Sequence, residues 1–175
     1  MEHDFINEPI DTSSLPRFED VQLTPVDKRY LKIILLNITG AYVIVGIMAA
    51  AAFYFIEESR PFIVHAVIAY IVLVLLTLLI SWLSFKNKAF AFRTHDVIYS
   101  DGAIAITTTI IPYNRVQHVA IQEGWLGRIL GLAEVHIFTA GGDRSDIQIP
   151  GIEKKDAENI KQLLMGKILK HDANE

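Results

Sequence analysis

The sequence predicts a transmembrane helical hairpin followed by a small α+β domain, a β barrel or sandwich plugged by one C-terminal amphipathic helix. Three observations carry this. Ile33 to Ile56 and Pro61 to Phe85 contain no Asp, Glu, Lys or Arg, and each run exceeds the ~20 residues that a helix needs to cross the ~30 Å hydrocarbon core. Only Glu57-Glu58-Ser59-Arg60 separates them, enough to turn one helix back on its neighbour but too little for a domain. After Phe85 the pattern changes to short alternating runs rich in β-branched and aromatic residues, the signature of strands.

Residues 1–30 form an N-terminal arm punctuated by Pro9, Pro16 and Pro25, with Thr12-Ser13-Ser14 between them. Met1 to Asp27 lacks sustained periodicity and reads as a loop or disordered arm. Residues 31–85 form the hairpin. A signal peptide fits the first apolar segment poorly, because the segment starts only at Ile33 and outruns the ~7–15-residue core of such peptides. Buried helices of a soluble domain would need a polar stripe; Ile71 to Ile80 offers only Thr77. Arg17, Lys28, Arg29 and Lys32 precede the first span and Lys86, Lys88 and Arg93 follow the second, whereas the connection holds only Arg60. Bases near helix ends decide orientation, so both termini are expected in the cytoplasm. Gly40, Gly46 and Ala49 to Ala52 offer small surfaces for close helix approach, either to the second span or to a second copy of the chain. Asn37 and His65 lie near the two membrane edges and read as interfacial anchors.

Residues 86–175 make one small domain. Strands are expected near Ala89–Arg93, Val97–Tyr99, Ile104–Pro112, Val116–Gln122, Glu134–Ala140 and Asp146–Ile149. Asp101-Gly102 and Ala140-Gly141-Gly142-Asp143 mark the turns. Ile104, Ile106, Thr108 and Ile110 fall on one face of their strand, and Val135 with Ile137, then Ile147 with Ile149, continue such a face. Lys154 to Leu169 carries an apolar stripe of Ala157, Ile160, Leu164 and Ile168, so the domain is expected to fold without its anchor.

Charge and composition narrow the function. The net charge of −4 arises before the first span, where residues 1–30 hold seven acids against three bases; residues 86–175 hold eleven of each. A near-neutral domain lacks the basic stripe that nucleic acid requires. The chain has no cysteine, which removes disulfides, thiolate metal sites and cysteine nucleophiles. His95, His118 and His136 stand on separate segments without ligand spacing, and there is no Gly-x-Ser-x-Gly elbow or phosphate loop. Asp143 and Asp146 flank a turn and read as solvated. No cofactor, metal or catalytic residue is expected, and the chain is read as a non-enzyme.

Several motifs follow in series: Arg93-Thr94-His95-Asp96-Val97-Ile98-Tyr99 before Asp101-Gly102, Ile110-Ile111-Pro112-Tyr113-Asn114-Arg115-Val116-Gln117-His118-Val119, Gly124-Trp125-Leu126-Gly127-Arg128-Ile129-Leu130-Gly131-Leu132-Ala133, Phe138-Thr139-Ala140-Gly141-Gly142, and Ile149-Pro150-Gly151-Ile152. Together they resemble the bacterial membrane-anchored PH-like family of YdbS type, over roughly Leu31 to Met165. The resemblance implies a cytoplasmic (inner) membrane protein with a PH-like barrel and a C-terminal helix. It also implies, in many members, a larger companion membrane protein bearing several such modules, and it supplies no catalytic residues.

Two candidate sites remain. Gly124 to Leu132 places Trp125, Leu126, Ile129 and Leu130 on one apolar face with Arg128 projecting away. Closing an open end of the barrel is one account of this stretch; contact with a partner or the membrane surface through Trp125, Leu126, Arg128 and Ile129 is the other. Lys86, Lys88 and Arg93, beside the membrane exit, are candidates for anionic lipid headgroups, each gaining about 1 kcal/mol there; topology signals account for them equally well. The expected role is an interaction or assembly platform for another membrane protein, with headgroup binding as the alternative.

Overall fold

The computed structural model describes residues 20–141 and 146–172; the arm before Asp20 and the turn residues 142–145, Asp143 among them, lie outside the described residues. Helix α1 (Arg29–Phe55) and helix α2 (Ile63–Asn87) are joined by a 3-10 turn over Glu57–Phe62. Both helices are long and apolar enough to cross a membrane, and neither buries residues within the protein. They run antiparallel and are fastened by polar groups that have no water to turn to in a bilayer. Tyr42 Oη and Thr77 Oγ1 stand 2.6 Å apart, and Tyr70 Oη donates to the Tyr42 carbonyl at 2.7 Å. Gly46 makes room for this clasp, since a Cβ there would lie 3.2 Å from Tyr70 Oη. The small face of α1 is thus partly used within the hairpin, whereas Gly40 meets nothing within 4 Å.

The soluble part contains strands β1 (Thr24–Pro25), β2 (Ala89–Phe92), β3 (Asp96–Asp101), β4 (Thr107–Pro112), β5 (Val116–Gln122), β6 (Leu132–Thr139) and β7 (Ile147–Glu153). A short helix α3 (Trp125–Leu130) joins β5 to β6, and α4 (Lys154–Asp172) follows β7. Among the described residues all pairings are antiparallel and make two sheets, β1-β2-β3-β4 and β5-β6-β7. Val97, Tyr99 and Ile111 from the first sheet meet Val119, Val135, Ile137 and Ile149 from the second in one core. The α4 side chains Ala157 and Leu164 belong to this core, with Ile160 packed against it.

Two sequence expectations change. The arm is not separate from the domain: Thr24 pairs with Phe90 and Pro25 with Ala89, Val26 is 4% exposed, and the Asp27 N–H donates to the Gly151 carbonyl at 2.9 Å. Pro25 is tolerated because β1 is an edge strand, where a missing N–H costs no ladder bond. A domain beginning at Lys86 would therefore lack its first strand. The expected strand from Ile104 starts only at Thr107, and Ile104 and Ile106 are 88% and 61% exposed. Register explains the reversed face: Val97 opposes Ile111, so Ile111 is buried while Ile110 points outward.

Candidate functional site

Where the hairpin enters the β domain, one arginine fastens three elements. Arg29 donates through Nε and Nη2 to the two carboxylate oxygens of Asp27 at 3.0 and 2.8 Å, and through Nη1 to the Leu130 carbonyl at the end of α3 at 3.2 Å. Glu153 at the end of β7 lies 3.5 Å from the same guanidinium. Asp27 also accepts the backbone N–H of Arg29 at 2.7 Å, satisfying a first-turn donor of α1. The hydrogen bond from Arg29 holds the Asp27 carboxyl below its usual range. Its stabilising contribution is present above the ordinary carboxylate pKa and lost as pH falls through the lowered one.

This clamp sets α3 beside the first turns of α1. Gly124 precedes α3 in extended conformation and Gly131 ends it at φ 69°, the left-handed cap that glycine accepts without strain. Gly127 is buried, and a Cβ there would fall 2.7 Å from the Leu132 carbonyl oxygen. The helix therefore lies flat on β6. The single apolar face expected over this stretch is split: Leu126 and Leu130 are half-buried, whereas Trp125 and Ile129 are 77% and 65% exposed. Neighbouring positions on a helix point about 100° apart, so the two pairs, each spaced i, i+4, occupy different sides. Arg128 is exposed as well.

Between α1 and α3 runs a groove of about 550 Å³, lined by Tyr30, Ile33, Leu36, Asn37 and Gly40 from α1, by Trp125, Leu126 and Gly127 from α3, and by Gly151 from β7. Gly40 is eleven residues beyond Arg29, about 16 Å along the helix axis, so the groove reaches well into the apolar part of α1. Asn37, expected as an anchor, lines it.

The three basic candidates do not converge. Lys86 Nζ lies 5.6 Å over the Trp82 ring at the end of α2. Lys88 reaches Tyr99 Oη at 3.4 Å and pairs with Asp101 at 3.6 Å. Arg93 is five residues of extended chain further, roughly 16 Å, at the opposite end of β2, and donates to both oxygens of Asp96. Arg93 is therefore not beside the membrane exit, because strand β2 carries it away. The histidines also stay apart: His118 stacks on Phe138 at 4.2 Å, His136 lies 3.3 Å from Glu134, and His95 is exposed in the β2–β3 turn. Among the described residues, no three His, Asp or Glu side chains gather as a metal site. Asp146 is not merely solvated, since its Oδ1 accepts the Thr139 N–H at 2.7 Å across the β6–β7 turn.

The model of the bacterial PH domain family matches residues 30–168. The chain belongs to that family. A similar protein is the transmembrane protein YdbS of Bacillus subtilis, 31% identical over 78 residues, a stretch covering 43% of this chain and 47% of YdbS. The chain thus matches about half the length of this relative. No solved structure matches. This member of the bacterial PH domain family is a membrane protein in which two apolar helices accompany a PH-like β domain.

Sequence reasoning missed Arg29 as a clamp and Tyr30 as a lining residue of the groove. In sequence Arg29 is one topology charge among several; its partner Leu130 is 101 residues away, and no local pattern announces such a contact.

Proposed function

We propose that this protein is a non-catalytic assembly platform, in which the groove between α1 and α3 receives an apolar helix of a second membrane protein. The observation that supports this is that exposed Trp125 and the bare backbone of Gly40 line one groove. An approaching helix would gain close packing at Gly40 and a hydrogen-bonding amide at Asn37, the two features that hold helices together where lipid offers no hydrophobic drive. Trp125 supplies the large anchor typical of interface hot spots. Holding the β domain at the membrane raises its effective concentration toward such a partner. The family resemblance implies a companion membrane protein bearing several PH-like modules, which is the class of partner this reading names.

Purification of the tagged full chain in mild detergent should recover a membrane protein in fixed proportion. Trp125→Ala should weaken that association by more than ~2 kcal/mol, as hot-spot truncations do, and Gly40→Leu should abolish recovery by filling the groove. Neither change should lower the unfolding temperature, because both positions are open. Undiminished recovery from both stably folded variants would end the docking reading.

The proposed orientation places both termini in the cytoplasm, supported by the seven-to-one excess of bases at the paired ends of the hairpin. Reporter fusions after Glu175 should read cytoplasmic, and those within Glu57 to Arg60 should read the opposite side. Identical readings from both positions would contradict the hairpin.

A further inference from the structure

The loop between β3 and β4, Gly102-Ala103-Ile104-Ala105-Ile106, has no charged or polar side chain. Ile104 and Ile106 are among the most exposed large apolar residues of the β domain, at 88% and 61%. Such residues at a loop tip expose apolar surface to water without any packing to offset it. The loop is nevertheless held in place: the side-chain amide of Asn87, the last residue of α2, donates to the Gly102 carbonyl at 3.0 Å and to the Ala103 carbonyl at 3.4 Å. Gly102 also fixes its shape, with φ +125° and the Ala105 carbonyl oxygen only 1.9 Å from where a Cβ would be.

We propose that this loop is a second membrane contact, an apolar wedge that enters the headgroup region of the same bilayer that α2 has just left. The occupant follows from continuity with the span. Trp82, half exposed beneath the Lys86 ammonium, is the aromatic-and-base pair that settles where hydrocarbon gives way to headgroups. Asn87 lies five residues on, less than two turns away, and it grips the loop directly. The one acid adjoining the wedge, Asp101, is paired with Lys88 at 3.6 Å, which reduces the charge that would resist approach to lipid. The other end of β3 carries the polar turn Arg93-Thr94-His95-Asp96, so the apolar loop lies at the hairpin end of that strand and the polar turn away from it. The wedge would add a contact beyond the Lys88 connection and so limit rocking of the β domain. This inference rests on α2 spanning the bilayer and is independent of the groove.

The absence of native cysteine permits a direct test. Ile104→Cys, Ile106→Cys and, as a control in the opposite turn, Thr94→Cys are each labelled with an environment-sensitive fluorophore. The full chain is reconstituted alone in nanodiscs of phosphatidylcholine and phosphatidylglycerol. Quenching by doxyl-labelled lipid should be several-fold stronger at 104 and 106 than at 94, and quenching by aqueous iodide correspondingly weaker. Doxyl quenching at 104 no stronger than at 94 overturns the proposal, and would leave the loop a solvent-facing surface. Because all three side chains are exposed or in turns, the labelled variants are expected to fold, and circular dichroism of each verifies this before quenching is read.

Discussion

Leu164→Ala is expected to lower the unfolding free energy of the β domain by about 2–5 kcal/mol, the range for a leucine removed from a core that cannot collapse around the loss. Leu164 is 1% exposed and belongs to the cluster that holds Val97 and Ile111 from one sheet and Val135 and Ile149 from the other. It also stands seven residues from fully buried Ala157, two turns along the same stripe of α4. The void would therefore open where both sheets and the helix meet. The adjacent Leu163 is 46% exposed, and Leu163→Ala should change stability little. Chemical unfolding of the full chain in nanodiscs, followed by protease resistance of the β domain, measures both. Equal effects at 163 and 164 would mean that α4 does not sit on the core in the described register.

Gly151→Ala is the second change with a large expected effect, and it acts at the joint between hairpin and domain. Gly151 has φ +67°, where a side chain costs roughly 1–2 kcal/mol. Its added Cβ would lie 2.7 Å from Cβ and 2.8 Å from Cγ of Tyr30. Those atoms are at the root of the side chain, so rotation of the ring cannot clear them and the first turn of α1 must shift. Overpacking of this kind adds about 1–3 kcal/mol. The shift also strains the hydrogen bond from the Asp27 N–H to the Gly151 carbonyl. Gly131→Ala is the matched control: its φ is +69°, but only Arg29 Nη1, at 3.9 Å, approaches the added atom. It should show the conformational cost alone. Should the two substitutions destabilise equally, Tyr30 does not pack on Gly151 as described.

The features legible in sequence were those with local periodicity. The charge-free runs located both long apolar helices, although hydropathy marked Ile33 and Phe85 as limits where backbone hydrogen bonding extends the helices to Arg29 and Asn87. Hydropathy reports contact with hydrocarbon, whereas a helix continues through polar residues until its bonds end. Alternation correctly assigned Val135, Ile137, Ile147 and Ile149 to the core. It failed at Ile104 and Ile106, because a two-residue apolar period in a loop looks the same as one in a strand. Pairing alone decides between them. At α3 the sequence located the stretch but merged two sides of a short helix into one, since bracketing glycines give no indication of which side meets β6. Strand β1 was invisible, being two residues long, containing Pro25, and paired with residues beyond the whole hairpin.

That last pairing has a bearing on biogenesis. Thr24–Pro25 leaves the ribosome before α1, and its partners Ala89 and Phe90 only after α2. The hairpin is thus an insertion within the β domain, spliced between hydrogen-bonded neighbours: the Val26 N–H reaches the Lys88 carbonyl at 3.3 Å across its base. If only one of the two helices crossed a bilayer, β1 would be left on the far side from β2. The first sheet would then keep an unpaired edge, the kind of surface that invites aggregation and proteolysis. Completion of the first sheet thus requires residues 24–25 and 89–90 to end on the same side of whatever the two helices between them enter.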